Sequence, residues 1–277
     1  MEFFSLVYQA LNAKSALEKC TLTREIFIHF NKFSFNHSTA ILTLKQPTFA
    51  NFCQIAPRHK IPQGKYLKTD LNVAHLLHSV AHIEFCAIDL ALDCAYRFRN
   101  MPKTYYFDWI EVAKEEVEHF NRLNELLNQV GFKYGDFLVH DLLFSSMQKA
   151  DLLLDRIALV PRGMEAVGLD VNPFLCTKVS QSSHKIKTPL LEVLQIIYNE
   201  EISHVSKGDK WFHYICEEQK IPLQKRATTY IEILKKHCFS FPKANSSMNV
   251  EARLKAGFSK EELELLSDVA FASNNPK

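Results

Sequence analysis

Glycine is scarce in this chain, with seven in 277 residues. That argues against a glycine-rich phosphate loop and against a large β-sandwich with many tight turns. Cysteines are not organised either. The seven (Cys20, Cys53, Cys86, Cys94, Cys176, Cys216 and Cys238) are odd in number, scattered, and nowhere spaced Cys-x-x-Cys. In a chain of this size they read as reduced thiols of a cytoplasmic protein, not a disulfide framework or a zinc ribbon. Neither sign of charge dominates, with 33 Lys and Arg against 31 Asp and Glu, so nothing demands nucleic acid or an anionic membrane as partner. Long uncharged apolar runs are missing as well. The greasiest stretch, residues 71–95, is broken by His75, His78, His82, Glu84 and Asp89, so no membrane span is expected. The opening Met1-Glu2-Phe3-Phe4-Ser5 lacks the basic region of a secretory signal.

What the chain does have is helical periodicity. Residues 1–68 read as a helical and irregular extension. Helical spacing runs over 6–17, a further turn starts near Thr23, and a loop over 46–64 carries Pro47, Pro57 and Pro62. Residues 69–220 contain four long periodic segments. The first, 69–99, is opened by Asp70 as cap and closed by Asn100-Met101-Pro102. The second, 105–130, ends at Gly131, the third, 146–167, at Gly168, and the fourth opens at Thr188-Pro189 and runs to about 219. Residues 221–277 read as a helical C-terminal extension. It has a helix over 223–237, a polar break over 242–247, and two short helices, the last opened by the capping box Ser259-Lys260-Glu261-Glu262. The expectation is an all-α fold, a four-helix bundle with helical N- and C-terminal extensions.

The informative residues are acids on the apolar face. In the first long segment Val73, Leu77, Ala81, Ile88, Ala91 and Ala95 make a stripe with Glu84 in its middle. In the second, Trp109, Val112, Ala113, Phe120, Leu123 and Leu127 are interrupted by Glu116 and His119. In the third, Leu154, Ala158 and Pro161 lead to Glu165, and in the fourth Glu201 and His204 lie among Leu190, Leu194, Ile197, Val205, Gly208 and Phe212. Burying one carboxylate costs on the order of several kcal/mol, and burying four together adds mutual repulsion. Two metal cations remove both penalties, and four carboxylates with two imidazoles supply ligands for two ions with positions left open. Spacing alone is weak, because 20 Glu and 12 His give roughly one Glu-x-x-His pair by chance. The strength is context: both pairs fall mid-helix on apolar stripes, each after a helix with a core-facing Glu. The bland alternatives are a buried ion pair of Glu84 with Arg97, Arg99 or a neighbouring helix, and a solvated acidic face over Glu115, Glu116 and Glu118, of which only Glu116 is in phase with the stripe.

The order Glu84, Glu116-x-x-His119, Glu165, Glu201-x-x-His204 resembles the ferritin-like di-iron carboxylate superfamily. More narrowly, Ala81-His82-Ile83-Glu84, Val160-Pro161-Arg162-Gly163-Met164-Glu165-Ala166, Gly168-Leu169-Asp170, Glu201-Ile202-Ser203-His204-Val205 and Asn249-Val250-Glu251-Ala252-Arg253-Leu254-Lys255-Ala256-Gly257-Phe258 resemble the family named Domain of Unknown Function 455, over about residues 65–260. The resemblance implies a ferritin-like bundle and a carboxylate-bridged centre of two iron ions, with manganese or a mixed pair served by the same ligands. It makes Glu116 and Glu201 bridging and Glu84 and Glu165 terminal.

Around that centre, His82, Asp155 and Tyr198 are candidates to hydrogen-bond the ligands. His75, His78 and His82 share a helix face, for which polar packing is the default over a separate metal site. The basic stretch with Lys225, Arg226, Lys235, Lys236 and Lys243 leaves tRNA open as a partner without indicating it. The first functional expectation is an oxidoreductase using dioxygen to oxidise or hydroxylate an unknown substrate. The second is iron binding or storage without turnover; roughly a hundred residues outside the bundle, far beyond ordinary connections, count against a ferritin shell. The third is a metal-free helical interaction module. A homodimer stays open.

Overall fold

The computed structural model describes residues 1–239 and 248–274. Among these the secondary structure is helical, with two isolated β-bridges, Glu2–Ser34 and Ile55–Val139, and no strand. The chain divides into two compact units, Met1–Ser145 with Val179–Val193, and Ser146–Lys178 with Leu194–Lys277.

The first unit is built on α1 (Phe3–Leu11), α2 (Ala16–Ile28), α3 (Asp70–Arg97) and α4 (Lys103–Gln129). Thr69, not Asp70, caps α3; its side chain accepts from the Asn72 N–H while Asp70 sits in the first turn, where a negative charge favours the helix dipole. α3 and α4 pack along their length across a short connection. α1 packs on α3 and α2 on α4, so the N-terminal segment, expected as partly irregular, belongs to this unit's core. Its helices break at Asn12–Ser15 rather than running over 6–17, because Ser15 caps α2 by accepting from Glu18 N–H. A fully buried cation seals that packing: Lys19 of α2 pairs with Asp89 of α3 and donates to the Ala10 carbonyl at 3.0 Å. By length and composition α3 could cross a membrane, but 61% of its most apolar window is buried, as in a core helix. None of the seven cysteines is in a disulfide.

α5 (Leu142–Lys149) spans the boundary in sequence. The second unit then contains α6 (Leu153–Leu159), a π-helical turn (Val160–Met164), α7 (Glu165–Ser180), the greater part of α8 (Lys187–Glu218), α9 (Leu223–Lys236), α10 (Val250–Lys255) and α11 (Lys260–Asn274). The third periodic segment therefore differs from expectation. Pro161 has no N–H to continue the α ladder, so the chain widens into the π turn, and the Glu165 N–H reaches back to the Val160 carbonyl. Gly168 does not stop the helix. It faces open space, and α7 continues to Ser180 with Pro173 inside it.

Two other glycines are there for close approach. A Cβ on Gly163 would lie 3.0 Å from the Ala158 carbonyl oxygen and 3.2 Å from Leu234 of α9. On Gly208 of α8 it would lie 2.9 Å from the Pro161 Cβ and 3.1 Å from the Arg162 nitrogen. The π turn thus presses its backbone directly on α8. α9 packs against both α6 and α11. The capping box at Ser259 forms as its spacing predicts: Glu262 N–H donates to Ser259 Oγ (3.2 Å) and Ser259 N–H to Glu262 Oε2 (2.8 Å). The expected polar break over 242–247, and Lys243 with it, lie outside the described residues.

Candidate metal centre

In the first unit, α3 and α4 bring Glu84, Glu116 and His119 together. His119 Nδ1 lies 3.1 Å from Glu84 Oε2 and 3.3 Å from Glu116 Oε2. All three side chains are buried, Glu116 and His119 completely. One ligand atom from each falls within 4.8 Å of the others. The helical phase explains the grouping: residues three apart on α4 share a face, and that face meets the stripe carrying Glu84. Burial, then the charge of Glu116, push the Glu84 carboxyl up to about 7, with His119 only partly offsetting them. Two hard oxygen donors and an imidazole, desolvated and mutually repelling, fit a transition-metal cation well.

Of the partners the bland readings offer Glu84 and Glu116, the two arginines and Glu118 are engaged elsewhere. Arg97 forks onto Asp93 (3.1 and 3.2 Å), and Arg99 stacks over Phe4 and Tyr96. Glu118 pairs with Arg24 at the surface, 3.0 Å away. Glu84 therefore faces His119, and Glu116 is separated from its acidic neighbours by being turned inward.

In the second unit, Glu201 and His204 stand one turn apart on α8, Glu201 Oε2 being 3.8 Å from His204 Nδ1, with His204 fully buried. Glu165 is the first residue of α7, half-buried, where the π turn ends. Glu165, Glu201 and His204 of the second unit follow the same order along the chain as Glu84, Glu116 and His119 of the first.

The three supporting candidates have definite partners. His82 Nδ1 lies 2.8 Å from Tyr134 Oη and its Nε2 2.7 Å from the His140 carbonyl. Burial opposes charge on Asp155, but hydrogen bonds from Lys236 (2.6 Å) and His237 (2.8 Å) outweigh it and hold that carboxyl below its usual range. The Tyr198 hydroxyl accepts from Asn249 Nδ2 at 2.9 Å. The His75–His78–His82 face packs as the bland reading expects. His78 Nε2 accepts from the Gly135 N–H (3.0 Å), and His75 meets the Phe137 ring edge-on. Within the basic segment, Arg226 pairs with Glu217 and Lys236 with Asp155.

Sequence reasoning missed a second charged centre. Arg162, fully buried in the π turn, donates from Nε to Asp209 (2.8 Å) and from Nη2 to Glu262 (2.6 Å). Its guanidinium lies over the rings of Phe212, Tyr230 and Phe258, 4.3–4.6 Å from their centroids. In the sequence Arg162 stands within the segment 160–166 and Glu262 within the capping box at Ser259, with nothing in the pattern to join them.

The family described as "Protein of unknown function (DUF455)" matches residues 12–264 of this chain. A protein of Haemophilus influenzae, described as an uncharacterized protein, is 33% identical over 290 residues, covering 97% of this chain and 94% of its own length. No solved structure matches.

Proposed function

The chain belongs to the DUF455 family, and on that footing we propose that it is a ferritin-like di-metal carboxylate protein, an oxidoreductase that uses dioxygen to oxidise or hydroxylate an organic substrate in the cytoplasm. Its two ions, iron in first place and manganese or a mixed pair in second, would be held by Glu84, Glu116, His119, Glu165, Glu201 and His204. The observation that carries this reading is the buried meeting of Glu84, Glu116 and His119. An ordinary core has no use for two desolvated carboxylates around one imidazole, whereas a divalent cation turns their repulsion into binding. The matching set on α7 and α8 repeats the same residue types in the same order along the chain.

When bound, a reduced iron pair supplies the electrons that dioxygen chemistry requires. The chain's own part is to supply four negative charges and two neutral imidazoles, with Glu84, Glu116, His119 and His204 buried away from water. The raised Glu84 carboxyl gives up its proton as a cation enters, so loading releases protons near neutral pH. Mixing the ferrous protein with dioxygen tests the reading. An absorption transient and oxygen uptake proportional to bound iron support it; iron bound without any oxygen uptake sinks the oxidoreductase.

A further inference from the structure

Residues 249–262, beyond the bundle, touch both elements that carry the second ligand set. Asn249 at the head of α10 donates its N–H to Asp170 Oδ1 (2.8 Å) and its Nδ2 to the Leu169 carbonyl (3.2 Å) and to Tyr198 Oη (2.9 Å). One side chain thereby bridges α7 to α8, with Tyr198 three residues before Glu201. One turn on, Arg253 forks onto Asp170 (3.1 and 2.7 Å) and donates to the carbonyl of Ala166 (3.1 Å), the residue after Glu165. The turn that follows places Phe258 over the Arg162 guanidinium, and Glu262 at the start of α11 binds Arg162 three residues before Glu165. Arg162 in turn holds Asp209 on α8, beside Gly208, where the two backbones meet. Tyr230 of α9 closes the group by donating to the Arg162 carbonyl (3.0 Å).

We propose that residues 249–262 act as a clasp whose Asn249, Arg253 and Glu262 are positioning residues, fixing the start of α7 against α8 so that Glu165 can share a metal ion with Glu201 and His204. The inference rests on the di-metal reading above. The placement of the bonds argues for it. Asn249, Arg253 and Glu262 ignore the outer turns of α7 and grip Arg162, Ala166, Leu169 and Asp170, the residues bracketing Glu165. They are also spent where the local backbone is least self-supporting. The π turn departs from regular helix geometry at Val160–Met164, and such a turn keeps one form only when its surroundings over-determine it.

The test is titration of chelator-treated full-length protein with Co(II), read by its visible absorption, for wild type, Arg253→Met, Arg253→Lys and Glu262→Gln. Glu217→Gln, which breaks the exposed ion pair with Arg226 in the same unit, serves as control. We expect two equivalents in wild type and in Glu217→Gln. Arg253→Met and Glu262→Gln should keep one equivalent near wild-type affinity and bind the other at least tenfold more weakly, with Arg253→Lys partly restored. Glu262→Gln keeps the side chain's shape and carries the test if Arg253→Met does not fold. Two equivalents at wild-type affinity in a folded clasp variant overturn the clasp alone. No Co(II) uptake by wild type overturns the di-metal reading and the clasp with it.

Discussion

His119 Nδ1 stands 3.1 Å from Glu84 Oε2, an imidazole on α4 against a carboxylate on α3, both buried. Glu116 crowds the same space and pushes Glu84 up to about 7. In the metal-free protein the folded state therefore holds a proton on Glu84 that the unfolded chain releases above about pH 4.5. Its contribution to stability is lost as pH rises from there through 7. Glu84→Gln removes this dependence. In chelator, the variant should gain on wild type by on the order of 3 kcal/mol between pH 5 and pH 8, measured by urea unfolding. A constant difference between the two across that range contradicts the assignment.

His78 and His82 act in the opposite sense. Burial, above all, lowers both to about 4, so they fold neutral. Below pH 6.5 the unfolded chain takes up protons that the folded state refuses. Their contribution is complete above that pH and lost as pH falls toward 4, on the order of 3 kcal/mol each. Histidine NMR titrations should show two rings still neutral at pH 5; rings titrating near 6.5 would speak against it.

Arg162 sits between Asp209 and Glu262 with no exposure. Arg162→Met fills similar volume but leaves two buried carboxylates without their cation. Loss of about 3–5 kcal/mol is expected in denaturant unfolding. A loss under about 1 kcal/mol would mean that the acids find other partners and that Arg162 is dispensable.

Gly208 and Gly168 give a matched pair. Alanine at 168 meets open space and gains helix propensity, so Gly168→Ala should stabilise by about 0.5–1 kcal/mol. Alanine at 208 meets the Pro161 and Arg162 backbone, and overpacking should outweigh propensity, destabilising by about 1–3 kcal/mol. Equal effects in thermal unfolding would remove the close approach from the account.

The sequence made α3, α4 and α8 legible because their apolar residues repeat with helical period around fixed caps and stops. The same phase picked out Glu84, Glu116 and His119 as inward-facing. The third segment was misdrawn because periodicity does not register a π turn, and Gly168 looks the same to a pattern whether it ends a helix or merely faces solvent. The pairings of Lys19 with Asp89 and of Arg162 with Glu262 were invisible for another reason. Each residue is charged, and only a partner far along the chain, 70 residues for Lys19 and Asp89 and 100 for Arg162 and Glu262, makes its burial tolerable.

The central claim is that the six carboxylate and histidine side chains hold two metal ions. The most direct measurement is the transition-metal content of full-length protein purified without chelators, beside Glu116→Ala prepared identically. The account predicts close to two ions per chain in wild type, and fewer than one in Glu116→Ala with its helical content retained. Fewer than one ion per chain in wild type, with Glu116→Ala folding just as well, would contradict it.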